Sequence, residues 1–215
     1  MSVDIRKYML PHTSYEVEDI EWSSRMEYGS RDTVLPRALT VGDSICNGYQ
    51  GDVRRELEGI CHLSFWASSL CVTAPTYLRE LETVMERFPY RVVTFNNGLH
   101  SLDRRDLGEW GEAYRLIVEY MQAKAPAARL LLVLSTPTKD PALTERSRAL
   151  NDVVLRIAAD KDLPVVDLFS AMDPLDRETY WSDCYHFRQE AVKKQAEIIA
   201  DAIKEQLALG PAGQE

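Results

Sequence analysis

Short apolar runs alternate with longer amphipathic stretches along most of the chain. The runs are rich in valine, leucine and aromatic residues, and they occupy residues 38–41, 62–66, 91–95, 129–134 and 164–168. A short, continuously apolar run is typical of a strand that is buried on both faces, as in a parallel sheet. The pattern therefore predicts five buried strands.

Stretches with helical periodicity follow these runs, at residues 52–59, 75–88, 107–125, 143–159 and 188–209. The third stretch carries an apolar face made of Trp110, Tyr114, Ile117, Val118 and Met121. We expect Asp103 and Asp106 to form its solvated start. The strict alternation predicts an α/β fold, a three-layer α/β/α sandwich around a five-stranded parallel sheet with the flavodoxin-like order 2-1-3-4-5.

Two segments fall outside this alternation. Residues 1–36 contain Tyr15, Trp22, Met26 and Tyr28, so we expect an ordered N-terminal extension that packs on a domain of residues 37–215. The sequence does not decide whether this extension covers the sheet, borders a pocket or makes a dimer contact. Residues 170–182 are expected to form a long acidic loop that carries Tyr180 and Trp181.

The charge balance restricts the classes of partner. The chain has 34 acidic and 25 basic residues, a net charge of −9, which disfavours nucleic acids and anionic membranes. Because no apolar run approaches the roughly 20 residues that span a bilayer, stable membrane insertion is not expected. The first ten residues lack the apolar core of a secretory signal, which favours a cytoplasmic protein. A homo-oligomer is compatible with the composition.

The four cysteines form no C-x-x-C pair. This spacing argues against a structural zinc site and favours reduced, partly buried thiols. We therefore expect no metal ion and no cofactor, and the best partner by charge is a neutral small molecule or glycan.

The first candidate for chemistry is Gly42-Asp43-Ser44, directly after the first predicted strand. A glycine permits a tight turn there, and the Ser44 hydroxyl would stand at the carboxyl edge of the sheet, where α/β proteins bind ligands. Ser44 alone could equally be the N-cap of the next helix.

The turn Asn96-Asn97-Gly98 follows the third predicted strand and precedes His100. A side-chain amide here could donate to an oxyanion without titrating, although an Asn-Gly turn is also common between elements. We considered His100 as a general base, but no carboxylate stands in an obvious orienting position, so lining of the pocket is the better interpretation.

Asp183 and His186 lie three residues apart just before the last predicted helix. On a turn, the carboxylate can hold the imidazole tautomer while the ring faces a serine, as in a hydrolytic triad. The alternative is that Asp183 caps the last helix and His186 is a surface residue. Together with Ser44 and the asparagine turn, the pair predicts one site at one edge of the sheet.

The same segments resemble the sequence blocks of the GDSL or SGNH hydrolases. Gly42-Asp43-Ser44-Ile45 resembles the first block with Ile45 in place of Leu, and Asp183-Cys184-Tyr185-His186 matches the last block, Asp-x-x-His. The third block, Gly-x-Asn-Asp, resembles residues 94–97, with Thr94 in place of Gly and Asn97 in place of Asp. The second block resembles residues 64–69, with Ser69 at the position of a glycine.

This resemblance implies an SGNH-type serine hydrolase domain at residues 37–215 that cleaves a carboxylic ester through an acyl-enzyme, without metal or cofactor. The implied catalytic residues are Ser44, His186 and Asp183, and the implied oxyanion donors are the N–H of Ser44, the N–H of Ser69 and the amide of Asn96. Asn97, His100 and Trp181 are expected to bind substrate.

The substrate is less determined by the sequence. The resemblance implies a short acyl chain, and the protein has no long apolar insertion to receive a fatty acyl tail. Aromatic rings beside acidic residues in the loop suit a sugar, so an acetyl ester of a carbohydrate, such as an acetylated oligosaccharide, or another small-molecule ester is expected. Core packing of Tyr180 and Trp181 under the loop is an equal alternative. A lipolytic esterase, a lysophospholipase or a thioesterase remains an alternative enzyme, and a non-catalytic binding module on the same fold is the alternative of another class.

Overall fold

The computed structural model describes residues 3–102 and 106–212. Within these residues, six strands form one sheet: β1 Ser23–Glu27, β2 Arg37–Gly42, β3 His62–Ser68, β4 Val92–Phe95, β5 Arg129–Val133 and β6 Val165–Val166. The order is β1-β3-β2-β4-β5-β6, and all neighbours are parallel except β1 and β3. The five parallel strands therefore have the predicted order 2-1-3-4-5.

The number of strands is a correction to the prediction. β1, in the N-terminal extension, pairs antiparallel with β3, with Ser23 opposite Ser68 and Glu27 opposite Ser64. Its sequence, SSRME, has no apolar run, and none of its residues is buried. Pairing of its backbone with β3 makes it a strand, and the pattern of side chains does not reveal such pairing.

Helices cover both faces of the sheet: α1 Ser44–Glu56, α2 Tyr77–Met85, α3 Leu107–Lys124, α4 Pro141–Lys161, α5 Leu168–Met172, α6 Arg177–Tyr180 and α7 Gln189–Ala208. Short 3-10 helices lie at Ile5–Tyr8 and Leu99–Ser101. α1 begins at Ser44, earlier than predicted, because Asp43 caps it and the glycines at 48 and 51 had hidden its helical pattern. The predicted loop of residues 170–182 contains α6.

The core lies between the sheet and these helices. Every residue of β2 is buried, as expected for a central strand with neighbours on both sides. The ring of Phe95 stacks on Tyr114 with centroids 4.6 Å apart, so the apolar face predicted for α3 packs on β4. Asp106 caps α3 through Glu109 N, as expected, while Asp103 lies outside the described residues.

The N-terminal segment packs along the domain. The Tyr8 ring meets Tyr120 on α3 at 5.7 Å, and the Arg37 guanidinium donates to the carbonyls of Tyr28 and Gly29. Gly29 has φ +59°, and a Cβ there would lie 2.1 Å from Nδ1 of His62, so only glycine fits this turn. In the described part of the chain, no helix combines the length and apolarity needed to cross a membrane.

Candidate active site

Ser44 lies in the first turn of α1, directly beyond the carboxyl end of β2. Gly42 is required because a Cβ at this position would lie 2.5 Å from Cβ of Cys46. The buried Asp43 is the N-cap, and its Oδ1 accepts from Ile45 N at 3.0 Å. Ser44 is therefore not the cap, and its hydroxyl is free for another partner. Its N–H belongs to the first helical turn, where N–H groups have no intrahelical acceptor.

The candidate base stands on a closed loop before α7. Trp181 and Phe187 form an antiparallel bridge, and Ser182 N donates to His186 O at 2.8 Å. The Trp181 ring is buried against Phe187, with the Arg177 guanidinium 4.4 Å from its centroid. The buried Trp181 ring therefore packs inside the protein and stabilises this loop. The prediction that Trp181 binds substrate was wrong.

Asp183 is fixed by the same loop. Its Oδ1 accepts from the N–H groups of Tyr185 and His186, each at 2.8 Å, and its Oδ2 lies 2.8 Å from Nδ1 of His186. Partial burial alone would raise the pKa of Asp183, but these hydrogen bonds outweigh it and lower the pKa. Helix α7 has Arg188 as its N-cap, so Asp183 does not cap it.

His186 connects the two halves of the site. Its Nε2 lies 2.8 Å from Oγ of Ser44, a residue 142 positions away in the chain. With a proton on Nδ1 shared toward Asp183, Nε2 presents its lone pair to the serine hydroxyl. Carboxylate, imidazole and hydroxyl therefore form one continuous chain of hydrogen bonds.

The two asparagines after β4 are both engaged inside the protein. The Asn96 amide nitrogen donates to Val133 O at 2.8 Å and to Ser135 Oγ at 3.1 Å, linking β4 to β5. Asn97 accepts from Val72 N and donates to Leu70 O, tying down the loop after β3. Because Asn97 is buried and both ends of its amide are used, it does not reach the pocket, which corrects its assignment as a substrate-binding residue.

Ser69 is also corrected. Its N–H, assigned to the oxyanion hole by the family resemblance, donates to Trp22 O at 3.1 Å. Its hydroxyl lies 2.5 Å from Oε2 of Glu21 and accepts from Trp22 N at 2.9 Å. The N–H is occupied because the pairing of β1 with β3 continues past Ser68, and only the N-terminal extension makes this possible. The sequence blocks of the family could not predict this partner, because the Trp22 carbonyl belongs to the N-terminal extension.

A pocket of about 500 Å³ opens at the candidate triad. It is lined by Glu18, Asp19, Ile20, Trp22, Ser44, Leu99, His100, Leu102, Tyr185 and His186. One wall is thus the stretch of residues 18–22, from the N-terminal extension. Sequence reasoning missed these lining residues and Tyr185, although the aromatic content of residues 1–36 had indicated an ordered segment.

His100 lines this pocket, and its Nδ1 lies 2.8 Å from Oε1 of Glu18. Its ring also meets Trp22 edge-on, with centroids 6.2 Å apart. The carboxylate that the sequence did not reveal therefore comes from the N-terminal extension, 82 residues away. His100 lies in the wall of the pocket, and it is Nε2 of His186 that meets the Ser44 hydroxyl.

Comparison with known protein families identifies the family of this chain. The sequence profile of the GDSL-like lipase/acylhydrolase family matches residues 40–194, most of the chain and every segment that carries Ser44, Asp183 and His186. The chain belongs to this family. As a GDSL-like acylhydrolase it is an ester hydrolase, which decides against the alternative of a non-catalytic binding module. The profile begins after the N-terminal extension. A comparison with curated protein sequences found no match.

Solved structures share the fold of this GDSL-like hydrolase at low sequence identity. A lipase/acylhydrolase from Enterococcus faecalis is 19% identical, with 80% of this chain and 97% of that chain covered and a TM-score of 0.65. The acetylxylan esterase Axe2 from Geobacillus stearothermophilus is 16% identical, with coverage of 80% and 94% and a TM-score of 0.64. A putative acylhydrolase from Bacteroides fragilis is 16% identical, with coverage of 83% and 93% and a TM-score of 0.66.

Proposed function

We propose that this GDSL-like hydrolase cleaves short-chain esters, with Ser44 as nucleophile, His186 as general base and Asp183 as the residue that orients the imidazole. The hydrogen-bond chain with two links of 2.8 Å carries this proposal. A serine hydroxyl is a weak nucleophile until an adjacent base removes its proton, and this arrangement supplies that base.

In the proposed reaction, Ser44 Oγ forms a bond to the ester carbonyl carbon while its proton passes to Nε2 of His186. Collapse of the tetrahedral intermediate breaks the bond to the alcohol oxygen, which takes the proton back from His186. Water then attacks the acyl-enzyme by the same route and releases the carboxylic acid. Asp183, kept ionised by its hydrogen bonds, stabilises the imidazolium in both halves of the reaction.

For the oxyanion we propose the N–H of Ser44 and the amide of Asn96. The Ser44 N–H belongs to the orphan N–H groups at the positive end of α1, which favours a developing negative charge. Asn96 would exchange its hydrogen bond to the Ser135 hydroxyl for the oxyanion and keep its bond to Val133 O. A hydroxyl oxygen is a weaker acceptor than a charged oxygen, so this exchange is favourable.

We propose an acetylated carbohydrate as the substrate class. The likeness in fold to an acetylxylan esterase supports this class, as does a pocket that mixes the rings of Trp22 and Tyr185 with carboxylates. A lipolytic esterase or a thioesterase is the second candidate, because Ile20 and the leucines at 99 and 102 also give the pocket apolar surface.

The test compares Ser44→Ala with a matched control. A further histidine–carboxylate pair, His62 with Asp32 at 2.7 Å, lies at the opposite end of the sheet, and within the described residues its histidine has no serine partner. Ser44→Ala should abolish turnover of p-nitrophenyl acetate and labelling by a fluorophosphonate, while His62→Gln should change neither. Undiminished turnover in Ser44→Ala would refute the proposed nucleophile.

A further inference from the structure

The wall of the pocket formed by residues 18–22 lies outside the segment matched by the family profile. Two carboxylates fix this wall to the hydrolase domain. Glu18 holds His100, and Glu21 accepts from the hydroxyl of Ser69. The backbone of Trp22 adds two further hydrogen bonds with Ser69. The wall is thus held by several independent contacts and is not a loose tail resting on the surface.

Glu21 does not line the pocket, but its carboxylate holds the wall in place through hydrogen bonds. Besides the Ser69 hydroxyl, its carboxylate accepts from the Tyr15 hydroxyl and from Glu18 N at 3.0 Å. Desolvation raises the pKa of Glu21, but its hydrogen bonds and the nearby His100 outweigh this effect and lower the pKa. Glu21 therefore stays ionised and anchored, and it positions Glu18 and Trp22 beside the pocket.

The side chains of the wall are suited to the alcohol part of the ester and not to its acyl part. An acyl tail buried against Glu18 and Asp19 would desolvate charged groups without giving them a hydrogen bond, which is unfavourable. A phosphate-bearing alcohol would face the same negative charge. An uncharged alcohol with hydroxyl groups and a C–H face satisfies both kinds of surface, since hydroxyls can donate to the carboxylates while the face rests on Ile20 and Trp22.

Ile20 supplies a second, independent observation. Its side chain is 71% exposed, yet it borders the cavity that contains Ser44. Val17, three residues earlier, is equally exposed at 71% but is not among the residues that line the pocket. The two residues therefore form a natural matched pair: substrate that fills the pocket would cover Ile20 and leave Val17 in solvent.

We infer that residues 18–22 of the N-terminal extension are the specificity-determining wall for the alcohol part of the ester, and that this alcohol is an uncharged, hydroxyl-bearing ring of the carbohydrate class. The inference rests on the proposed function, because it assigns a substrate part to the same pocket. Glu18, Ile20 and Trp22 contact the alcohol, whereas Glu21 is a positioning residue.

The experiment varies the alcohol and the acyl chain separately. One series keeps the acetyl group and compares a monoacetylated methyl xyloside, which has free ring hydroxyls, with ethyl acetate. The other series keeps p-nitrophenol and compares acetyl with octanoyl esters. Ile20→Ser should raise KM for the monoacetylated xyloside roughly tenfold, while KM for ethyl acetate and kcat change by less than about twofold. Val17→Ser should match the wild type on every substrate.

A second variant tests the polar part of the wall. Glu18→Gln removes the charge beside His100, and KM for the monoacetylated xyloside should rise roughly tenfold while fluorophosphonate labelling of Ser44 keeps its wild-type rate. Equal losses on the monoacetylated xyloside and ethyl acetate, or a loss that grows with acyl length, would overturn the inference. A wild type that hydrolyses no ester and resists labelling would instead refute the proposed function.

Discussion

The backbone N–H of Ser69 donates to the carbonyl of Trp22 at 3.1 Å, so the N-terminal extension occupies a donor that the family resemblance assigns to the oxyanion. We therefore expect a division between two roles. Residues after β2 and β4 are proposed to stabilise the charge, while the segment after β3 holds the wall of the pocket. Ser69 is then expected to support substrate binding through Glu21 and Trp22, and not the chemical step.

Ser69→Ala tests this division. The substitution removes the hydroxyl that contacts Glu21 and Trp22 N and keeps the backbone N–H. We expect a loss of about 1–3 kcal/mol in the free energy of unfolding, a higher KM for acetylated sugars and an unchanged kcat. Urea denaturation and steady-state kinetics measure these quantities. A fall in kcat at unchanged KM would contradict the assignment of the Ser69 hydroxyl to the wall of the pocket.

Asn96→Ala and Asn97→Ala test the different roles that we propose for two amides adjacent in the sequence. Asn96→Ala should lower kcat by about 10²–10³ because an oxyanion donor is lost. Asn97→Ala leaves Val72 N and Leu70 O without partners, so it should cost about 1–3 kcal/mol of stability and leave kcat near the wild-type value.

Ser135→Ala is the control for Asn96. It removes the hydroxyl that accepts from the Asn96 amide at 3.1 Å without removing the amide. If Asn96 donates to the oxyanion, kcat of Ser135→Ala should not fall with that of Asn96→Ala. Similar kcat losses in the two variants would show that Asn96 acts only by linking the strands.

Asp183→Asn should lower kcat by about 10⁴, because the amide favours the wrong imidazole tautomer. The pKa of Asp183 lies below its ordinary value of 3.8, so its ionisation stabilises the fold above that pH, and this contribution disappears as the pH falls through the lowered pKa. The difference in Tm between wild type and Asp183→Asn should therefore be larger at pH 7 than at about pH 3. A difference that grew toward low pH would contradict this sign.

Two glycines near α1 give opposite predictions for the same substitution. Gly42→Ala forces a Cβ to within 2.5 Å of Cβ of Cys46, so it should destabilise the fold by about 1–3 kcal/mol and displace Ser44. Gly51→Ala meets nothing within 4 Å and should stabilise the helix by about 0.5–1 kcal/mol with unchanged activity. Thermal unfolding with p-nitrophenyl acetate turnover checks both, and a stable, fully active Gly42→Ala would refute the packing argument.

The order of the parallel strands and the position of Ser44 at one edge of the sheet follow from local signals in the sequence. Apolar runs mark the strands, crossover rules limit their order, and the carboxyl ends of parallel strands share one edge. Any chemistry placed just after those runs is brought together, however far apart it lies in the chain. A pattern of short runs was therefore sufficient for the parallel strands and for the position of Ser44. His186 lies well past the last run, on the loop before α7, and its prediction came from its spacing to Asp183 and from the family resemblance.

The errors share a different physical cause. Ser69, Asn97 and Trp181 all lie in the expected segments, but their polar groups or rings are taken up by partners elsewhere. Trp22 directly precedes β1, Leu70 and Val72 come from the loop after β3, and Phe187 packs on the ring of Trp181. Spacing along a chain predicts the position of a residue in the fold. It does not predict which neighbour forms a hydrogen bond with that residue or packs against it. For the same reason Glu18 was missed as the partner of His100.

The pairing of β1 with β3 has a consequence beyond the pocket. Without β1, the N–H and C=O groups of β3 would be open to strands of other molecules, a common route to aggregation. β1 closes that row, and it carries Arg25 and Glu27, charges that discourage further pairing. The stretch that shields β3 continues directly from residues 18–22. Truncating the extension would therefore expose the edge of β3 and remove one wall of the pocket. A single deletion is expected to promote aggregation and to change the substrate preference.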